Sequence, residues 1–192
     1  MRTKDEAKEQ LILETALRLI VRTGLSGLKM SDLAKEAGVA TGTVYIYFAD
    51  RTALIQRLYA YLLRKSLSDL GAGITDSDPL RLKIKKMTRN YLDDNLSHPE
   101  YEAFFEQYFR SPYYAETEVV RVAETSVMQP IYDLVVQGQR ETIIKEADPD
   151  LLVTLVCGML NELAQQAHLT GRPVSDSDWE LTFSVIWDGV KR

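Results

Sequence analysis

Between Lys29 and Leu54 the chain reads KMSDLAKEAGVATGTVYIYFADRTAL, and this stretch constrains the fold more than any other. It holds two short helical patterns broken at Gly38, the second rich in hydroxyl and aromatic side chains, and a restart at Asp50. Leu33, Ala34 and Ala37 are spaced to pack the first pattern inward. Gly38 supplies a turn where positive φ carries no steric penalty, and Val39 and Val44 point back toward the same core. That leaves Ala40, Thr41, Thr43, Tyr45 and Ile46 for the outer face. A buttressing helix, a tight turn and a second helix with an exposed face make a helix-turn-helix, whose second helix enters the DNA major groove. Small and hydroxyl side chains approach base edges and thymine methyls, while Tyr hydroxyls and backbone N–H groups bind phosphate.

The rest of the chain also reads as helix, and nothing in it reads as a strand. Leu11, Ile12, Thr15, Ala16, Leu19 and Ile20 share one face of a helix over Lys8–Thr23, which Gly24 and Gly27 should end. Ser31 is positioned to cap a helix through Ala37, and a second short helix is expected over Thr41–Tyr47. Asp50 should cap a fourth helix carrying Leu54, Leu58, Tyr61, Leu62 and Leu70. Gly71–Pro79, small, polar and ended by proline, is the hinge candidate. Helical patterns resume over Leu80–Leu96 and Glu100–Phe109. A long one over Glu116–Glu146 carries Pro130 and Gly138, where a kink or boundary is expected. Asp148-Pro149 should start the next helix, and Gly171 should stop it. Ser175 or Ser177 should open a last helix through Val190. The reading is all-α, about nine helices, with no internal repeat.

Charge divides the chain. Overall it carries −5, the wrong sign for a polyanion's partner, but residues 1–65 hold 11 Lys and Arg against 7 Asp and Glu, and residues 66–192 hold 12 against 21. A mildly basic head on an acidic body is the asymmetry of a nucleic-acid-facing module. The N-terminus lacks a signal peptide's apolar region and no run is long enough to span a membrane, so the expected location is cytoplasmic. The single Cys157 allows no internal disulfide and no thiol cluster. His98 and His168 have no ligand partners at metal spacing. Two distant histidines, one cysteine and no glycine-rich phosphate loop supply no reactive constellation, so neither an enzyme nor a cofactor or metal is expected.

The ordered set ILETALRLIVRTGLSGLKMSDLAKEAGVATGTVYIYFADRTAL, about residues 12–54, resembles the TetR/AcrR family of transcriptional regulators. The resemblance implies a three-helix helix-turn-helix DNA-binding domain over 1–50 and a helical effector-binding and dimerisation domain over 51–192, linked by a helix over 51–70. It implies a homodimeric repressor that binds a near-palindromic double-stranded operator and is released by a small-molecule ligand. Residue by residue, Ser31 matches the hydroxyl that contacts phosphate from the first helix of the motif. Ala40, Thr41, Gly42 and Thr43 stand at the leading end of the recognition helix. Tyr45 and Tyr47 match its phosphate-binding aromatics, and Arg51 stands where the family usually has Lys. Ala40 replaces a polar or basic side chain found in many relatives. The alternative is a protein-interaction module built on a degenerate helix-turn-helix.

In the acidic body, Tyr91, Tyr101, Phe104, Phe105, Tyr108 and Phe109, interleaved with Glu102, Glu106 and Glu116, are candidate walls for a small hydrophobic effector. Aromatic walls with carboxylates suit a flat or cationic compound. The same spacing over Tyr101–Phe109 equally fits a core stripe. Cys157 reads as a small buried hydrophobe. The last two helices are apolar on more than one side. Leu152, Leu155, Met159, Leu163, Phe183, Ile186 and Trp187 are the candidates for a four-helix dimer interface, with Gly158 allowing close approach.

Overall fold

Most of the helix boundaries written into the sequence carry through to the computed structural model, which describes residues 5–114 and 117–192. Its helices are α1 (Glu6–Gly27), α2 (Met30–Glu36), α3 (Thr41–Tyr47), α4 (Arg51–Ser66), α5 (Leu80–Ser97), α6 (Pro99–Phe109), α7 (Glu118–Arg140), α8 (Pro149–Thr170) and α9 (Asp176–Val190). Among the described residues the only β-type pairing is one isolated bridge between Ile144 and Lys191, so the fold is all-α. Glu116 lies outside the described residues.

The caps follow the chemistry of the helix termini, where unpaired N–H groups need an acceptor. Asp50 accepts from the Ala53 N–H at 2.8 Å. Asp148 accepts from Asp150 N–H, with Pro149 in the first helical turn. Ser175 and Asp178 form a reciprocal capping box at α9, and Gly171 takes the left-handed conformation that ends α8.

Three boundaries differ from expectation. α2 begins at Met30 with Lys29 at the cap and no side-chain cap bond, so Ser31 lies inside the first turn. α4 ends at Ser66, and Leu70 sits in the following turn. There the Asn90 side chain donates to the Leu70 and Ala72 carbonyls at 2.9 and 3.0 Å. α7 continues through Pro130. In the 71–79 segment, Lys86 ties Gly73 and Asp78 together, donating to the carbonyl of one and the carboxylate of the other, each at 2.7 Å.

The chain divides into two compact units, residues through Lys65 with Glu100–Glu124, and Ser66–Pro99 with Thr125–Arg192. The core of the first takes Ile12 and Ile20 from α1, Leu33 from α2, Val44 from α3, Leu54 and Leu58 from α4, and Phe104 and Tyr108 from α6. Each such large side chain contributes about 1.5–3 kcal/mol by leaving water. Short helices like α2 and α3 would not persist alone, so this shared core is what holds them.

The second unit packs Leu92 of α5, Leu160 and Ala164 of α8, and Trp179, Phe183 and Ile186 of α9 into one cluster. Arg81, Lys85 and Arg89 recur every fourth residue on α5 and stand over Phe183 and Trp187, Phe183, and Trp179 respectively, at 5.3–5.6 Å from the ring centroids. This cation ladder covers the aromatic face of α9. A second cluster joins Leu80, Ile144 and Leu152. Gly138 makes that approach possible, since a Cβ there would lie 2.5 Å from the Ile144 side chain.

Candidate nucleic-acid interface and internal cavity

The turn between α2 and α3 is made by backbone. Gly38 adopts φ +68°. The N–H groups of Ala37 and Val39 return to the carbonyls of Leu33 and Ala34 at 2.8 and 2.9 Å. Val44, fully buried, fixes the rotation of α3 about its own axis. Residues about half a helical turn from Val44, on the far side of α3, therefore face solvent. Tyr45 and Ile46 are 51% and 63% exposed, Ala40, Thr41 and Gly42 are exposed beside them, and Thr43 is half-buried. Ser31 is exposed on α2, as are Lys29 just before it and Lys35. Those two cations were not singled out from the sequence; the positive balance of residues 1–65 was their only signal.

Tyr47 and Arg51 are engaged within the head. The Tyr47 hydroxyl accepts from the Asp5 N–H at 3.1 Å, joining the end of α3 to the start of α1. Gly24 kinks α1 with φ 74° and ψ 164°, which releases backbone groups from the helical ladder. The Leu25 N–H donates to the Gln107 side chain of α6 at 2.9 Å, and the Leu25 carbonyl accepts from the Arg51 guanidinium. Arg51 also lies over the Tyr113 ring at 5.3 Å, and its Nε is buried without a hydrogen-bond partner.

Of the six aromatics read as pocket walls, five belong to the first unit. Tyr101, Phe104 and Tyr108 are buried, Phe105 is half-buried and Phe109 is half exposed. Phe105, Tyr108 and Phe109 gather around Tyr59 of α4, which stacks on Tyr108 with centroids 4.5 Å apart. The Tyr59 hydroxyl donates to Glu124 at 2.7 Å, and burial pushes its ionisation far above the ordinary tyrosine range. Burial likewise raises Tyr108 to about 12. The Glu102 carboxyl is held above the usual range, chiefly because burial strips its water and secondarily because Glu106 is near.

Tyr91 stands apart, in the wall of a cavity inside the second unit. Ile84 and Met87 of α5, Leu134 of α7, and Leu152 and Val156 of α8 line it with Tyr91. The half-buried Cys157 thiol is part of the same wall.

The residues read as a dimer interface separate by face. Phe183 and Ile186 lie in their unit's own core, Leu152 in the cavity wall, and Leu163 and Trp187 are half-buried against the core. Leu155 and Met159 face outward, 56% and 38% exposed. Leu151, Leu181 and Val185, members of the same apolar stripes, are also outward. Gly158 and Gly189 lie exposed on these helices, with no other group within 4 Å of where a Cβ would stand.

No helix among the described residues is long and apolar enough to cross a membrane.

Residues 12–58 match the family model of the tetR family of bacterial regulatory proteins, and residues 79–191 match that of a tetracyclin repressor-like C-terminal domain. An uncharacterised HTH-type transcriptional regulator of Haemophilus influenzae is 24% identical over 98% of each chain. The uncharacterised regulator YuxN of Bacillus subtilis is 29% identical over 111 residues, a match spanning 58% of this chain and 38% of that protein. The crystal structure of a TetR family transcription regulator from Marinobacter aquaeolei VT8 has the same fold, with a TM-score of 0.86 at 24% identity over 100% of this chain and 99% of that one.

Proposed function

This chain belongs to the TetR family of bacterial regulatory proteins, and on that premise we propose that it is a homodimeric repressor released from its operator by a small molecule. The observation that carries the DNA-binding part is the outward face of α3, held in rotation by the buried Val44. Thr41, Gly42, Tyr45 and Ile46 present a low, mixed hydroxyl and apolar relief suited to base edges and thymine methyls. Thr43 is positioned at the edge of this face. Ser31, Tyr45 and the exposed cations Lys29 and Lys35 serve the phosphate backbone, which fixes register without reading sequence. Tyr47 and Arg51 act from behind, through Asp5 and Leu25, to hold the recognition helix and the head in shape.

The dimer reading rests on the outward stripes of α8 and α9. Leu151, Leu155 and Met159 on one helix and Leu181 and Val185 on the other recur at helical spacing and are exposed in the isolated chain. Gly158 and Gly189 among them allow a second copy's helices to approach closely. A two-fold interface of this kind places two heads on half-sites about one helical turn apart, which is why the operator is expected to be near-palindromic.

The cavity supports the effector reading. A ligand that binds better to the form with mismatched heads shifts the population away from DNA. Selection of duplexes from a random pool, followed by titration of the enriched sequence, tests the function. A near-palindromic consensus bound by two protomers supports it. Failure to enrich any sequence overturns it in favour of a protein-interaction module.

A further inference from the structure

We propose that the cavity of the second unit takes a small, uncharged, wholly apolar molecule and holds it by shape alone, without a hydrogen bond or ion pair. The proposal rests on the reading of this cavity as the effector site and names its ligand class. No Asp, Glu, Lys, Arg or His lines the cavity. Its polar side chains are few, and the hydroxyl donors among them are taken. Thr88 Oγ1 donates to the Ile84 carbonyl at 2.7 Å. The Tyr91 hydroxyl donates to Asn161 Oδ1 at 2.8 Å, an oxygen that also accepts from Asn95 at 2.8 Å.

A ligand carboxylate would therefore meet no free hydroxyl donor, and a ligand ammonium no carboxylate. Either ion would leave water without compensation, the most unfavourable transfer a pocket can impose. The cationic compound that the aromatic and acidic residues of α6 suggest has no counterpart here, because those residues belong to the other unit.

Size narrows the class further. The cavity volume of about 80 Å³ corresponds to roughly five to eight water positions at 10–15 Å³ each. A ligand of about that many heavy atoms fits, which is the scale of a monocyclic or branched hydrocarbon. The wall is almost entirely aliphatic, and Met87 supplies a flexible side chain that can follow the ligand's outline.

Methylcyclohexane, cyclohexanecarboxylate and cyclohexylmethylammonium share a ring and differ in charge. Titrated into the full chain carrying labelled Ile, Leu and Val methyl groups, methylcyclohexane should shift the resonances of Ile84 and Leu152 and bind at least about tenfold more tightly than either ion. Val156→Phe, and the milder Cys157→Met, should weaken that binding by filling the space. Equal or tighter binding of either ion at the same methyls overturns the proposal, as does no response to the hydrocarbon. Methylcyclohexane that binds but leaves operator affinity unchanged removes the effector reading and leaves the ligand class standing.

Discussion

The guanidinium of Arg51, at the start of α4, donates to the carbonyl of Leu25 in the last turn of α1, an oxygen that also accepts from the Leu28 N–H at 3.3 Å. Arg51 thus braces the head from inside. Arg51→Ala leaves that carbonyl with the Leu28 N–H alone and removes the contact with Tyr113, at a cost of about 1–3 kcal/mol. A lowered melting temperature checks this. Operator affinity should fall with the salt dependence unchanged, whereas loss of a phosphate contact would reduce the slope by roughly one.

Val44 and Tyr45 are neighbours with opposite duties. Val44→Ala opens space in the core and should destabilise the protein by roughly 1–3 kcal/mol. Tyr45→Ala, on the exposed face, should change stability by less than about 0.5 kcal/mol and weaken operator binding by about tenfold. Thermal melting and anisotropy titration of the same two variants separate the roles. Changing Thr43 should alter the ranking of operator variants.

Much of the fold was legible because its signals are local. Gly38 in the turn, Val44 at the core position, Asp50 as a cap and Asp148-Pro149 at a helix start each act through residues within a few positions. What stayed hidden depends on distant partners. Arg51 turns inward because the last turn of α1, distant in sequence, offers it the Leu25 carbonyl. Phe105, Tyr108 and Phe109 are drawn together around Tyr59, which no spacing within α6 reveals. On α8 and α9 apolar residues occur on several faces, so periodicity could not separate Phe183, covered by Arg81 and Lys85, from the exposed Leu181. The cavity is aliphatic and drawn from four helices, and its residues carry no motif.

The outward stripes predict a specific change in assembly. Leu155→Glu together with Leu181→Glu places charges on the proposed two-fold interface while touching no core residue. Sedimentation should report a folded monomer for the variant and a dimer for the parent, and operator affinity should fall with the loss of the second head. A parent that sediments as a monomer contradicts the assembly.

Glu102 gives a pH signature. Its carboxyl titrates above the ordinary value in the folded protein, mainly because it is buried. Folded and unfolded chains are equally protonated at low pH, so the burial penalty is absent there. It develops as pH rises from about 4.3 through the raised folded value. Glu102→Gln should therefore raise the melting temperature at pH 7, with the gain shrinking as pH falls toward 4. A gain independent of pH would trace the effect to something other than ionisation.

DNA recognition by the exposed face of α3 is tested most directly by operator affinity measured against salt concentration. A DNA-reading homodimer should bind a selected near-palindromic duplex tightly, two protomers per site. The slope of log affinity against log salt should be steeply negative, with about 0.9 from each phosphate contact. It should become shallower when Lys29 and Lys35 are replaced by Ala. Affinity that is indifferent to salt, or equal for selected and scrambled duplexes, would contradict it.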